Sequence, residues 1–292
     1  MIYSYLEQKG WFEHKTFVYG RTRSFSLIGS SLSAFTSILL IIRLPKMQSI
    51  FLLSIIPYVL DFFLIRSYPD ALNEPTETTI SIKKFITHSI KQLKNVFANR
   101  SLRKVVVSSS FFDAIFKVLK DYIQPILKEL ILISGIYIMV SMEAATQLKI
   151  ILGLIYGVMY IFSSLVSRNV YRLNLKFKSG KLMDISFDIL GIVFFVMFFA
   201  IKTKIMLAVI LLYFFLYLLK DGRRPLAVDV FGDYMKKNER ATVMSIESQV
   251  GSLFMIVLAP LFGYIADRFG IATLFFVIGL SILILNLKVL SL

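Results

Sequence analysis

Asp113, Lys117 and Asp121 recur every fourth residue through an otherwise apolar stretch, with Lys120 and Gln124 beside them. In a helix that spacing stacks them on one face. Asp113 lies about eight residues inside Val105, hence about 12 Å deep at ~1.5 Å per residue. A carboxylate at such depth is costly unless a cation or a polar cavity receives it. Two readings fit. The stripe lines a polar pathway, where Asp113 binds a cation or proton and Lys117 tunes its proton affinity, or it is an Asp–Lys–Asp ladder that neutralises itself. Glu247 and Gln249 open a later apolar stretch and are further pathway candidates, or else bonds to a neighbouring helix. Asp184 and Asp188 begin another stretch and Asp61 ends an earlier one; all three are expected at the cytoplasmic boundary as gate or anchor partners for loop arginines. Lys220, Asp221, Arg223 and Arg224 precede Pro225. They form either an anion-attracting mouth at the cytoplasmic gate or a cluster whose heads snorkel to water.

Other chemistries lack their parts. There is no phosphate-cradling glycine loop and no nucleophile triad, so an enzyme is not expected. Zero cysteines and only His14 and His88 leave no zinc ligand set, and neither a metal nor a cofactor is expected.

The elements that must position these residues are apolar helices. The 292 residues are 57% hydrophobic, above the roughly 45–50% of soluble domains, and mean hydropathy is +0.74. Eight segments approach the ~20 residues needed to cross a bilayer: Ser24–Ile42, Met47–Ile65, Val105–Leu127, Ile150–Val166, Leu182–Ile201, Ile205–Leu219, Ala241–Ile265 and Ile271–Leu287. None alternates as a strand, and backbone in lipid must bond to itself, so all are expected to be helices. The first twenty residues lack the short apolar core of a cleavable signal. The run Leu130–Val140 is apolar but short, which suits an external loop or re-entrant piece.

The net charge of +15 is distributed unevenly. Basic residues crowd residues 9–23, 66–104, 168–181 and 220–240, whereas the intervening connections are poor in them. Rich and poor connections alternate across eight spans, which predicts cytoplasmic termini and a cell-membrane location. A nucleic-acid partner is not expected, because the basic residues lie between apolar blocks instead of covering a polar surface.

The long connection Arg66–Lys104 divides the chain into residues 1–65, with two spans, a linker 66–104, and residues 105–292, with six. Pro69, Asp70, Asn73, Glu74 and Pro75 mark a turn, and Thr78, Thr79 or Ser81 can cap a helix. Ile82, Phe85, Ile86, Ile90, Leu93 and Phe97 then face away from Lys83, Lys84, His88, Lys91 and Lys94. That pattern predicts a basic amphipathic helix on the cytoplasmic membrane face, either a tether or a lipid-recognition element. Gly153 and Gly157 predict close helix packing within the bundle, and Pro57 and Pro125 predict kinks. Residues 21–35 and 240–254 align without gaps and share Arg21/Arg240, Ser26/Ser245, Ser33/Ser252 and Phe35/Phe254, a weak internal echo.

Several stretches resemble a known family. Tyr19-Gly20-Arg21-Thr22-Arg23-Ser24, followed by Gly29-Ser30-Ser31-Leu32, resembles the start of the fifth helix of major facilitator superfamily transporters. Lys120-Asp121-Tyr122-Ile123-Gln124-Pro125 resembles the outer part of the seventh. Glu239-Arg240-Ala241-Thr242-Val243-Met244-Ser245 resembles the start of the eleventh, and Ala259-Pro260-Leu261-Phe262-Gly263 its outer half.

The resemblance implies an all-α polytopic membrane protein, with a six-helix C-terminal bundle and two helices of an N-terminal one. It implies secondary transport of a small solute by alternating access, with a proton as a candidate coupling ion. Helices five to twelve have counterparts here and the first four do not, so the chain is expected to be either a truncated product, inactive as a fragment, or the partner of a separately encoded four-helix piece, in both cases within the lipid bilayer. Gly263-x-x-x-Asp267-Arg268-x-Gly270 resembles the family's cytoplasmic loop signature but falls in an external connection, and Ser167–Lys181 keeps basic residues without the Asp-Arg-x-Gly core. The first span also lacks the Gly-Pro pattern of proton-coupled drug exporters. The alternative class is a non-transporting membrane scaffold or subunit.

Overall fold

A computed structural model describes residues 2–44, 48–68, 82–134, 144–235 and 239–286. Among them are thirteen α-helices, two short 3-10 turns and no strand. In chain order the helices are α1 (Ile2–Gln8), α2 (Lys15–Arg43), α3 (Ser49–Leu53), α4 (Ile55–Arg66), α5 (Ile82–Ala98), α6 (Arg100–Leu119), α7 (Ile123–Ser134), α8 (Ala144–Asn169), α9 (Tyr171–Asn174), α10 (Ser179–Lys202), α11 (Met206–Tyr234), α12 (Arg240–Phe269) and α13 (Ile271–Leu285).

The described residues of all eight expected spans fall in helical segments, but among the described residues only five helices are long and apolar enough to cross a membrane: α2, the joined α3–α4, α8, α10 and α12. This marks a multi-pass membrane protein. The other three depart for visible reasons. α13 is apolar but only 15 residues long. α11 carries Lys220, Asp221, Arg223 and Arg224 at mid-helix, and the expected span Val105–Leu127 breaks at a 3-10 turn, Lys120–Tyr122. Pro125 explains that break, since its missing N–H cannot bond back to Asp121 and it is tolerated only in the first turn of α7. Pro57 acts in the same way, and α3 gives way to α4 at Ser54.

Two further expectations change. Of the short run Leu130–Val140, residues up to Ser134 continue α7, and the rest lie outside the described residues. The basic connection after Leu219 is not a loop, because α11 continues through Pro225 to Tyr234. The possible caps Thr78, Thr79 and Ser81 also lie outside the described residues.

α11 is the hub. It packs on α2, α6, α8 and α10, while α2 lies against α8, α12 against α6, and α13 against α10. One core joins Phe112, Phe187, Phe194, Tyr213 and Phe275; a second, at the other end, joins Val105, Leu226, Phe231, Val243 and Ile246.

The two strongest helix pairings differ in chemistry. α10 and α13 meet at Gly191 and Gly279, where a Cβ on Gly279 would stand 2.8 Å from backbone atoms, flanked by Phe194 and Phe275. α2 and α8 meet through serines and glycines instead. Gly153 and Gly157 receive Ile38 and Phe35 of α2, and Ser31 donates to the Gly157 carbonyl at 2.7 Å. α3 and α4 have no buried residue; Phe51 is 78% exposed and Tyr58 73%, so this apolar segment is available to lipid.

Candidate functional site

An open groove of about 680 Å³ runs between α2, the start of α7, α8 and α11. Its α2 wall is a serine stripe, Ser26, Ser30, Ser33 and Ser37, at spacings of four, three and four that keep it on one face. Ser30 donates to the Ser26 carbonyl at 3.1 Å and Ser37 to the Ser33 carbonyl at 2.8 Å. Each such hydroxyl is thus satisfied in a dry setting yet keeps lone pairs for a guest. Opposite stand Tyr156 and Tyr160 of α8 and Tyr217 of α11, with ring centroids 5.9 and 6.1 Å apart across the two helices. Lys120, Asp121 and Gln124 stand at one end of the groove.

One turn beyond Tyr217 the groove meets charge. Asp221 is fully buried; its Oδ1 accepts from Arg23 of α2 at 2.9 Å and from Lys220 at 3.1 Å, while Oδ2 has no partner. Successive helical residues turn by about 100°, so the same run reaches three other helices as well. Arg224 Nη1 donates to Glu247 of α12 at 2.6 Å and lies 3.9 Å from Asp113 of α6. Ser109 of α6 donates to the same Glu247 oxygen at 2.7 Å. Arg223 turns the other way, donating to Ser186 of α10 at 2.9 Å and to Ser108 of α6 at 3.4 Å. Its guanidinium lies 4.2 Å from the Phe112 ring centroid and 5.2 Å from that of Phe187. Farther along, Lys15 of α2 bridges Asp229 and Asp233 of α11, and Arg240 of α12 pairs with Glu7 of α1 at 2.6 Å. The helices are therefore cross-tied at the Lys15 end and parted by the groove at the Lys120 end.

The sequence candidates fall into several places. Asp113, Glu247 and Arg224 come together in one ion-pair cluster. The Asp–Lys–Asp ladder does not form. Lys117 is exposed, Asp113 turns to Arg224, and Asp121, displaced by the 3-10 turn, pairs with Lys120 at 3.2 Å. Asp121 and Gln124 line the groove instead.

Gln249 is exposed on α12, on the same helix as buried Glu247 but outside the cluster. Asp61 is exposed on α4, in the segment that has no buried residue. Asp188 accepts from the amide of Asn286, the residue that follows α13, at 2.7 Å, so its partner is not the expected loop arginine. Asp184 lines a second, larger basin near the start of α10. The run before Pro225 is a correction: Arg223 is 3% exposed and Asp221 0%, so neither snorkels.

Sequence reasoning named Asp221 only as part of the run before Pro225, not as the buried partner of Arg23, and it missed the tyrosine wall. A signal existed, because Leu226, Val230 and Phe231 after Pro225 keep the apolar helical spacing that marks a continuing buried helix. Comparison with protein-family models and with curated proteins gives no match.

Proposed function

We propose that this chain is a permease of the cell membrane, similar to major facilitator transporters, that moves a small solute by alternating access. The observation that carries this reading is the polar groove, set among apolar helices and ending on a layer of inter-helix ion pairs. In lipid, the half-exposed Asp121–Lys120 pair and the open lone pairs of the serine stripe would lack solvation, so a groove of this kind calls for water or solute. A pathway open at the Lys120 end and tied shut at the Lys15 end has the form of one state in an alternating cycle. Lys15 and Arg23 of α2, held by Asp229, Asp233 and Asp221 of α11, form the tie that must break in that cycle, and Asp113 and Glu247, sharing Arg224 among α6, α11 and α12, are the proposed site for a coupling cation.

In this reading all eight apolar segments cross the membrane, α6–α7 as one interrupted span, and the basic connections place the Lys15 end in the cytoplasm. Ser245, Ser248, Gln249 and Ser252 form an exposed polar stripe on α12. Four further helices of an N-terminal bundle would cover that stripe.

The test is uptake into vesicles reconstituted with the chain, using labelled amino acids, sugars, nucleosides and organic cations, with and without an inward proton gradient. Uptake of one class above that of protein-free vesicles is expected. Background uptake for every class under both conditions would favour a non-transporting scaffold.

A further inference from the structure

The Lys15 end carries a second cavity, an open basin of about 1100 Å³ between the start of α6, the α9–α10 connection and the end of α11. It shares no lining residue with the groove, although its Asp229 and Asp233 also hold Lys15. Arg100, Lys104, Lys176, Lys178 and Lys181 line it, against Asp184, Asp229 and Asp233. Two of those three carboxylates already hold Lys15. Arg100, Lys176, Lys178 and Lys181 have no ion-pair partner among the described residues. The first turn of α10 opens into the same basin at Ser179 and Gly180, with no acidic residue in it and no side chain capping it. Its free N–H groups add positive potential to that of the lysines.

A basin with surplus cations and open amides suits a phosphate-bearing anion. The apolar residues between the cations identify its source. Leu175 is 81% exposed and Phe177 47%; both line the basin and alternate with Lys176 and Lys178. Soluble phosphate gives such side chains nothing to bury, whereas a lipid offers its acyl chains beside its phosphate. α5 extends the same chemistry. It runs into Arg100 and exposes Ile90 and Leu93 together with Lys91 and Lys94.

We infer that this basin binds the phosphate headgroup of an anionic membrane lipid, with Lys176, Lys178, Lys181 and Arg100 holding the phosphate and Leu175 and Phe177 entering the acyl layer. The inference rests on the membrane reading of the chain but not on transport, and lipid binding is measured without any solute.

The experiment is native mass spectrometry of the full chain in non-ionic micelles, titrated with dioctanoyl phosphatidylglycerol, dioctanoyl phosphatidylcholine or inorganic phosphate. Wild type is expected to bind phosphatidylglycerol at least tenfold more tightly than phosphatidylcholine. The triple variant K176Q/K178Q/K181Q should lose at least tenfold in phosphatidylglycerol affinity, and K176R/K178R/K181R should retain it. Leu175→Ser with Phe177→Ser should weaken lipid binding and leave inorganic phosphate competition unchanged. All these side chains are exposed, so the thermal midpoint without lipid should match wild type in each variant. Equal phosphatidylglycerol affinity in wild type and the glutamine variant would overturn the site. Inorganic phosphate displacing the lipid at equal concentration would overturn the lipid as its ligand.

Discussion

Oxidation of a Ser24→Cys, Ser164→Cys double variant is expected to abolish uptake, and reduction to restore it. The two hydroxyl oxygens lie 2.7 Å apart across α2 and α8, and both residues are buried, so the replacement thiols face each other across the seam. The natural chain has no cysteine, so only the engineered bond can form. The effect should be large because the α2–α8 contact is the kind that can part. Its polar bonds, Ser24 with Ser164, Ser31 with the Gly157 carbonyl and Ser167 with the Gly20 carbonyl, are each worth about 0.6 kcal/mol on average in a membrane. The aromatic α10–α13 seam is suited to stay closed. Uptake that survives full oxidation would mean that α2 and α8 move together, contrary to the proposed mechanism.

Asp221→Asn is expected to be the most damaging single substitution in the charge layer. Asparagine keeps the volume and removes the counter-charge of both Arg23 and Lys220. Breaking a fully buried ion pair costs ~3–5 kcal/mol. Arg23 and Lys220 still reach water, with side chains 31% and 24% exposed, so a loss of about 2–3 kcal/mol is expected. Denaturant unfolding in micelles measures it. Asp121→Asn is the control: its pair with Lys120 is 68% and 39% exposed, and the stability change should stay within about 0.5 kcal/mol. Because Asp121 lines the groove, uptake should nevertheless fall in that variant. Equal stability loss in the two variants would contradict the burial of Asp221 between α2 and α11.

The helices were legible because hydropathy and helical period are local properties. Gly153 and Gly157 announced a close contact, but its other side is Phe35 and Ile38 of α2, which lies in residues 1–65 and not in the six-helix stretch where the packing was expected. The Asp113, Lys117, Asp121 stripe was legible as spacing but not as a face. A proline four residues beyond Asp121 withdraws one backbone bond, the helix ends at Leu119, and Asp121 swings to the groove. Arg223 and Arg224 illustrate the other limit. Next to a proline, a charged run has the composition of a loop, and only the helices around α11 make burial tolerable by offering Glu247, Asp113, Ser186 and two phenylalanine rings. Those partners lie far away in sequence. Nor did spacing reveal that Tyr156, Tyr160 and Tyr217 face the α2 serines, since that depends on how α8 and α11 pack.

The proposed cycle requires α2 to part from α8 and α11 at the Lys15 end. The most direct test is the distance between spin labels on Thr22→Cys of α2 and Asn169→Cys of α8, both exposed near that end, in lipid nanodiscs. Double electron–electron resonance should resolve two distances, with the longer one gaining population in Lys15→Gln, which removes the pairs of α2 with Asp229 and Asp233. A single narrow distance, the same in wild type and in that variant, would contradict the parting of α2.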